Sequence, residues 1–267
     1  MTDYKRVIAV ISDTHVGSRY ALFPKKFKTE EGNTIHLNRG QEQILEYWHE
    51  FWRIADELKV DTVIHLADAL HGLNRKEFGG GLLVSSLDEQ KEAFIELMTP
   101  VIKGRKFAML SGSQYHESLD TRVHLDLCHR LGGYYAGLMR NIKIEGTNRV
   151  FNIAHGTGGD TIYLSTALDR EGLFIRLAES YKKLPHIDLV LRGHIHKFLH
   201  IHLETLHLVQ VPCFMAYEPM KFTIKNYGRK QPDLGGVIIL IDKQDRMTIH
   251  HFLMGKAPRI SDNIQTI

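Results

Sequence analysis

Carboxylate and imidazole side chains recur in this chain in five short segments. In order they are Asp13-Thr14-His15, Asp68, Gly112-Ser113-Gln114-Tyr115-His116, His155-Gly156 and Gly193-His194-Ile195-His196. Mixed sets of this kind are ligands for zinc, manganese or iron. Asp13 and His15 are two residues apart, as are His194 and His196, so from an extended chain each pair would leave on one side and clasp an ion. Asp68, delivered singly between them, has two oxygens with which to bridge two cations. Two cations about 3.5 to 4 Å apart would clamp a phosphoryl group and lower the pKa of a shared water toward about 7. Phosphoryl transfer needs little more than such charge stabilisation and positioning.

Singly, these segments have plainer readings. Asp68 would serve as a helix cap, and the glycine-rich run after His155 as a turn or an anion-binding nest. Their joint occurrence in this order is what carries the metal reading. Each segment also follows an apolar, β-type run: Asp13 follows residues 7–11, Asp68 follows 63–66, Gly112 follows 107–110, His155 follows 150–154 and His194 follows 189–192. Ligands of α/β sheets gather at the carboxyl ends of strands, so the five segments are expected to converge.

The elements that must position them alternate between strand and helix. Residues 6–12, 62–66 and 107–110 read as strands. Residues 39–58 read as a helix whose apolar stripe (Ile44, Leu45, Trp48, Phe51, Trp52, Ala55, Leu58) is core packing. Ser86-Leu87-Asp88-Glu89 has the form of a capping box opening a helix to about Val101. A third helix is expected over 119–131, ending at Gly132-Gly133, and a fourth over 170–182. The second half is strand-rich: 141–144, 150–154, 189–192, 200–203, 206–211, 236–241 and 247–252. So many strands imply an α/β (α+β) fold of two packed sheets flanked by helices. Residues 17–38 have no period and read as a loop over the site.

The 267 residues suit a single domain spanning 1–267. A net charge of +3 with 24% charged and 43% hydrophobic residues is ordinary for a soluble protein, so any basic surface must be local. The two cysteines, Cys128 and Cys213, are too few for a disulfide framework. No apolar run approaches a membrane span and no signal peptide is recognised, so a cytoplasmic protein with no membrane association is expected. The 17 histidines are a large share, and histidine is the commonest metal ligand. Other chemistries lose support by absence. His49-Glu50-Phe51-Trp52-Arg53 lacks the second histidine of a zinc peptidase helix, and neither a phosphate-cradling G-x-x-x-x-G-K-[ST] loop nor a G-x-S-x-G elbow occurs.

Over residues 13 to 196 the chain resembles the calcineurin-like metallophosphoesterases, whose ordered signature is D-x-H, G-D, G-N-H-[DE], a later H, and G-H-x-H. The resemblance implies a four-layer fold, two mixed β-sheets packed as a sandwich between helices. It also implies two divalent ions, manganese first, with iron or zinc as alternatives. Asp13, His15, Asp68 and His196 would hold one ion, and Asp68, His155 and His194 the other. His116 matches the family's active-site histidine, which stabilises the transition state and protonates the leaving oxygen. Two departures stand out. Ala67 replaces the glycine of G-D, a small-for-small change expected to be harmless. Two extra residues separate Gly112 from His116 and the metal-binding asparagine is missing; Gln114 is favoured over Ser113 as its replacement.

Asp68-Ala69-Leu70-His71 gives D-x-x-H, which looks like the nuclease branch that processes DNA double-strand breaks, with His71 near the scissile phosphate. Lys25, Lys26 and Lys28 follow the first pair, while Lys221, Lys225, Arg229 and Lys230 follow the last with Phe222 and Tyr227 interleaved. Cations neutralise phosphates and aromatics stack on unpaired bases. With Arg19 they form the expected substrate rim. The reading is a phosphodiesterase or nuclease in which a metal-bridged hydroxide hydrolyses DNA or RNA. A phosphomonoesterase and a non-catalytic metal-binding scaffold are the alternatives. Oligomeric state stays open, a homodimer included.

Overall fold

The computed structural model describes residues 4–73, 75, 78–113, 116, 122–156, 163–216 and 231–256. Its first strand, β1 (Tyr4–Ile11), enters with the apolar run read above. Successive side chains of a strand leave on opposite faces. Val7, Ala9 and Ile11 accordingly enter one core and Ile8 and Val10 another. A strand buried on both faces has to lie in a central layer.

Parallel neighbours follow on one side of β1, namely β2 (Thr62–His65), β3 (Lys106–Leu110) and β4 (Tyr134–Gly137). On its other side β10 (Asp233–Asp242) and β11 (Met247–Lys256) add antiparallel, giving the six-stranded order β11-β10-β1-β2-β3-β4. The second sheet contains β5 (Met139–Lys143), β6 (Val150–Ala154), β7 (Leu189–Arg192), β8 (Leu199–Leu203) and β9 (Leu206–Gln210) in the order β5-β6-β7-β9-β8. It too is mixed, with β6, β7 and β9 parallel and β5 and β8 antiparallel at its edges.

Ile8, Val10, Ile64, Phe151, Leu191, Val209 and Ile239 fill the space between the sheets. Outside the larger sheet pack α1 (Arg39–Glu57), α2 (Leu87–Ile102) and α3 (Arg122–Arg130). Outside the smaller sheet packs α4 (Ser165–Ser180), through Leu168 and Ile175 against Val190 and Leu208. Gly172 lets α4 close down on the sheet, since a Cβ there would stand 2.7 Å from Leu208 Cδ1. The result is four layers: helices, sheet, sheet, helix. No helix among the described residues is long and apolar enough to cross a membrane.

Local chemistry sets the helix starts. Asn38 Oδ1 accepts from the Gln41 amide at 3.0 Å while Gln41 Oε1 accepts from the Asn38 amide at 3.3 Å, a reciprocal cap. At α2, Ser86 Oγ accepts from the Glu89 amide at 3.3 Å. The stripe of α1 lies in the core as its period requires. β4 is an addition to the expected strands, because four residues beginning Tyr134-Tyr135 after a glycine pair give too short an apolar signal. Helix α4 begins at Ser165, five residues before its expected start. The 17–38 segment is not a free flap: Ala21, Leu22, Phe23 and Phe27 are buried in the core beneath the helices, while Lys25, Lys26 and Lys28 face solvent.

Trp48 is the largest fully buried side chain and meets Trp52 and Phe214 edge-on. Trp48→Ala is expected to cost about 3–5 kcal/mol, read as a lowered urea midpoint with an unchanged slope.

Candidate metal centre

Strands β1, β2, β3, β6 and β7 each end at one of the five segments, so the two sheets deliver the candidate ligands from their carboxyl ends. Two groups form. In the first, Asp13 Oδ1 is surrounded by ring nitrogens: His196 Nε2 at 3.2 Å, His15 Nε2 at 3.6 Å and His155 Nε2 at 3.8 Å. His15 and His196 Nε2 stand 3.0 Å apart. In the second, Asp68 Oδ2 lies 3.0 Å from His155 Nε2, which lies 3.3 Å from His194 Nδ1. His155 therefore adjoins both carboxylates and links the groups. Asp68 sits in the second group, and the first group closes as Asp13, His15 and His196.

These residues fit divalent cations on two counts. Asp13 Oδ1 is fully buried and makes no hydrogen bond of good geometry, although three imidazoles point at it. Ligand atoms held about 2.0–2.2 Å from an ion stand about 3–3.6 Å apart, close to the spacings within each group. The remaining contacts fix orientation. Asp13 Oδ2 accepts from the His194 amide at 2.9 Å and from Ser12 Oγ. His155 Nδ1 donates to Leu66 O at 2.7 Å, which turns Nε2 inward.

Convergence does not arise from extended pairs. Asp13, His15, Ala67, Asp68, His194 and His196 all have positive φ, between 44° and 80°. The two-residue spacing thus works through tight left-handed turns and not through strand alternation. Ala67 is corrected by the same observation. At φ 80° a Cβ costs about 1–2 kcal/mol relative to glycine, so the exchange is not neutral. Gly112 and Gly193 have a different reason to be glycine, since a Cβ on either would overlap Asp68 Oδ1 or Ser12 Oγ respectively.

The strained turn after β2 is held by residues that sequence reasoning missed. His65 Nδ1 accepts from the Ala67 amide at 3.1 Å, which leaves Nε2–H to donate to Thr14 Oγ1 at 3.2 Å. Thr14 Oγ1 donates in turn to Ala69 O at 3.0 Å, and His124 Nε2 accepts from the Ala69 amide at 3.1 Å. Burial holds His65 down to about 3, so its ring is neutral as these bonds require. Thr14 lies between Asp13 and His15, so this chain of bonds ties the two ligand loops together. The signal available in the sequence was a histidine inside the apolar run Val63-Ile64-His65-Leu66.

At the glycine-rich block, Ser113 N–H donates to Asp68 Oδ1 at 2.7 Å and its hydroxyl donates to Oδ2 at 3.1 Å. Gln114 lies outside the described residues, as do Lys221, Phe222, Lys225, Tyr227, Arg229 and Lys230 of the expected rim. His116 Nδ1 donates to His71 O at 2.9 Å, placing Nε2 4.0 Å from Asp68 Oδ2. His71 is buried, its ring 5.8 Å from that of His15 and 5.4 Å from that of His116. The three form a further close group of imidazoles. Arg19 is exposed and its guanidinium donates to Leu82 O at 3.1 Å.

Electrostatics follow from burial against charge. Burial opposes ionisation of Asp68, but His155 and His116 outweigh it and hold the carboxyl far below its usual range. Burial would likewise depress His155, yet Asp68 and Asp13 raise it to about 9. Burial and the neighbouring His116 push His15 down to about 3.

The fold and site define a four-layer α/β sandwich with a buried carboxylate–imidazole centre at its strand ends. No protein-family model matches the chain, and no curated protein matches it. Among solved structures it is similar to an archaeal phosphodiesterase (14% identity, TM-score 0.45, covering 92% of this chain and 99% of that one). It is also similar to a predicted phosphoesterase from Streptococcus pneumoniae (13%, TM-score 0.40, covering 96% and 94%). A third is Vps29 complexed with zinc from Entamoeba histolytica (14%, TM-score 0.39, covering 93% and 99%). The resemblance to calcineurin-like metallophosphoesterases stands on the chain's own motif order and layer topology.

Thr14→Val removes one hydroxyl from the tie between loops. It is expected to weaken divalent-cation affinity about tenfold in a metal titration and to lower the melting temperature, because the buried His65 Nε2–H loses its acceptor, and Thr14→Ser should restore both. An unchanged affinity would show that the turns hold without this bond. For the metal-free chain the raised His155 stabilises fully below pH 6.5, and this contribution is lost as pH rises through about 9. Its melting temperature should therefore fall between pH 7 and 10. Cation affinity should rise over the same window, because binding displaces the His155 proton; calorimetric scans and metal titrations at stepped pH check both signs.

Proposed function

We propose that this chain is a two-metal phosphoesterase, and specifically a phosphodiesterase that cleaves nucleic-acid backbones. The observation that carries the reading is the adjacency of two three-ligand groups, each with two buried members and one half-buried, around His155 Nε2, 3.0 Å from Asp68 Oδ2 and 3.8 Å from Asp13 Oδ1. Divalent cations bound there, manganese first with iron or zinc sharing the ligand set, would act as Lewis acids and supply an ionised water near neutral pH. The scaffold reading is the weaker one, because Asp13, His15, Asp68, His155, His194 and His196 are all present and grouped.

The chain's own residues do the positioning. Ser113 orients Asp68 through its amide and hydroxyl. With Nδ1–H committed to His71 O, His116 presents Nε2 to the site, from where it can pass a proton to the departing oxygen. His71 lines the same edge, beside the adjoining rings of His15 and His116. A histidine where many relatives carry a second aspartate removes one carboxylate from the edge facing a polyanionic substrate, which supports the diester over a small monoester. Arg19, Lys225 and Arg229 are the proposed backbone-phosphate contacts. The buried free thiols of Cys128 and Cys213 support a reducing, cytoplasmic setting.

The test is hydrolysis by the manganese-loaded protein of single- and double-stranded DNA, bis-(para-nitrophenyl) phosphate and para-nitrophenyl phosphate. DNA and diester cleavage are expected, with His116→Ala lowering kcat by about 10²–10⁴ while metal binding persists. Monoester cleavage with nucleic acid left intact would overturn the proposal.

A further inference from the structure

Three histidines that the metal centre does not use meet at the edge of the smaller sheet. β8 is its last strand. Leu199 and Ile201 pack toward α4, so His200 and His202 leave on the opposite face. On β9, Leu206 and Leu208 also face α4, which puts His207 on the inter-sheet side with Val209. The register sets His202 directly opposite His207. Here the apolar core between the sheets runs out, and imidazoles replace it: His200 and His202 are exposed and His207 is half-buried.

Two of the three rings already stand near chelating distance. His200 Nε2 lies 3.0 Å from His207 Nδ1, and the ring of His202 stacks on that of His207 at 4.0 Å and 7°. Two imidazole nitrogens sharing one tetrahedral ion at about 2.0–2.1 Å stand about 3.3 Å apart, so the pair needs to open by only a few tenths of an ångström. Paired strands fix both backbones, which limits the conformational entropy lost on closing around an ion. Burial, with His202, His200 and Arg149 nearby, pushes His207 down to about 4; burial, with His202 and His251, lowers His200. Both rings are thus neutral at pH 7; the N–H shared between the facing nitrogens moves to the far nitrogen of its own ring when an ion binds, so no net proton is released. The charge of Arg149 is offset by its ion pair with Asp188.

We propose that His200 and His207 bind one late first-row divalent cation of the zinc, nickel or copper class at this sheet edge, with His202 joining as a third ligand by rotating off the stack. An all-imidazole donor set selects these ions over magnesium and calcium. The site shares no residue with the candidate metal centre and does not depend on the function proposed for it.

Zinc alone is the probe. After equilibrium dialysis, the full-length protein should carry one more zinc per chain than the double variant His200→Gln/His207→Gln. The two proteins should hydrolyse bis-(para-nitrophenyl) phosphate at equal rates, and His202→Gln should weaken the additional zinc about tenfold. Equal zinc content in wild type and double variant would overturn the proposal, as would an equally large difference with magnesium. If the double variant fails to fold, His200→Gln alone makes the same comparison, because that side chain is exposed.

Discussion

Two aspartates are buried from water where the two sheets meet. An ionised carboxylate away from water is costly unless it is paired. Asp13 and Asp68 are 0% and 1% exposed, so their charges have to be met inside the protein. Imidazoles from both sheets do this, and the match of spacing to ligand distances makes cations the natural completion. Any protein that buries these two charges without such partners would protonate them and lose the site. The position of each surrounding histidine is therefore tied to the stability of the sandwich.

That requirement explains features that local preference alone would forbid. Six residues of the ligand loops sit at positive φ, where an L side chain is disfavoured by about 1–2 kcal/mol each. Such strain persists only where surroundings over-determine it. Here the over-determination is visible in the bonds from His65, Thr14 and His124 to the turn around Asp68, and in the close approach of Gly112 and Gly193 to the carboxylates. The flanking layers contribute by fixing the strand ends. β1 is packed on both faces, so its last residues cannot shift without disturbing two cores.

Much of this was legible in the sequence. The apolar runs before Asp13, Asp68, Gly112, His155 and His194 marked the strands because burial on both faces demands them. Asn38 and Ser86 marked helix starts because a side-chain oxygen there meets an otherwise orphaned amide. Less legible was the geometry of the pairs: a two-residue spacing suggests an extended chain, and nothing in Asp13-Thr14-His15 announces left-handed turns. β4 leaves little trace in the sequence because it is short, and the exchange at Ala67 reads as neutral because size, unlike φ, is visible in a sequence.

The set of chemical groups, their order and the strands that end at them are written in the sequence, since residue type and apolar periodicity are local properties. The tertiary structure decided which nitrogen faces which oxygen. It placed Asp68 in the second group with His155 adjoining both carboxylates, set Ser113 against Asp68, and assigned His65 and Thr14 to holding a turn. It also gathered His200, His202 and His207 at a sheet edge, where register and face are settled only by pairing. Such relations join residues distant along the chain, so they exist only once the two sheets have packed.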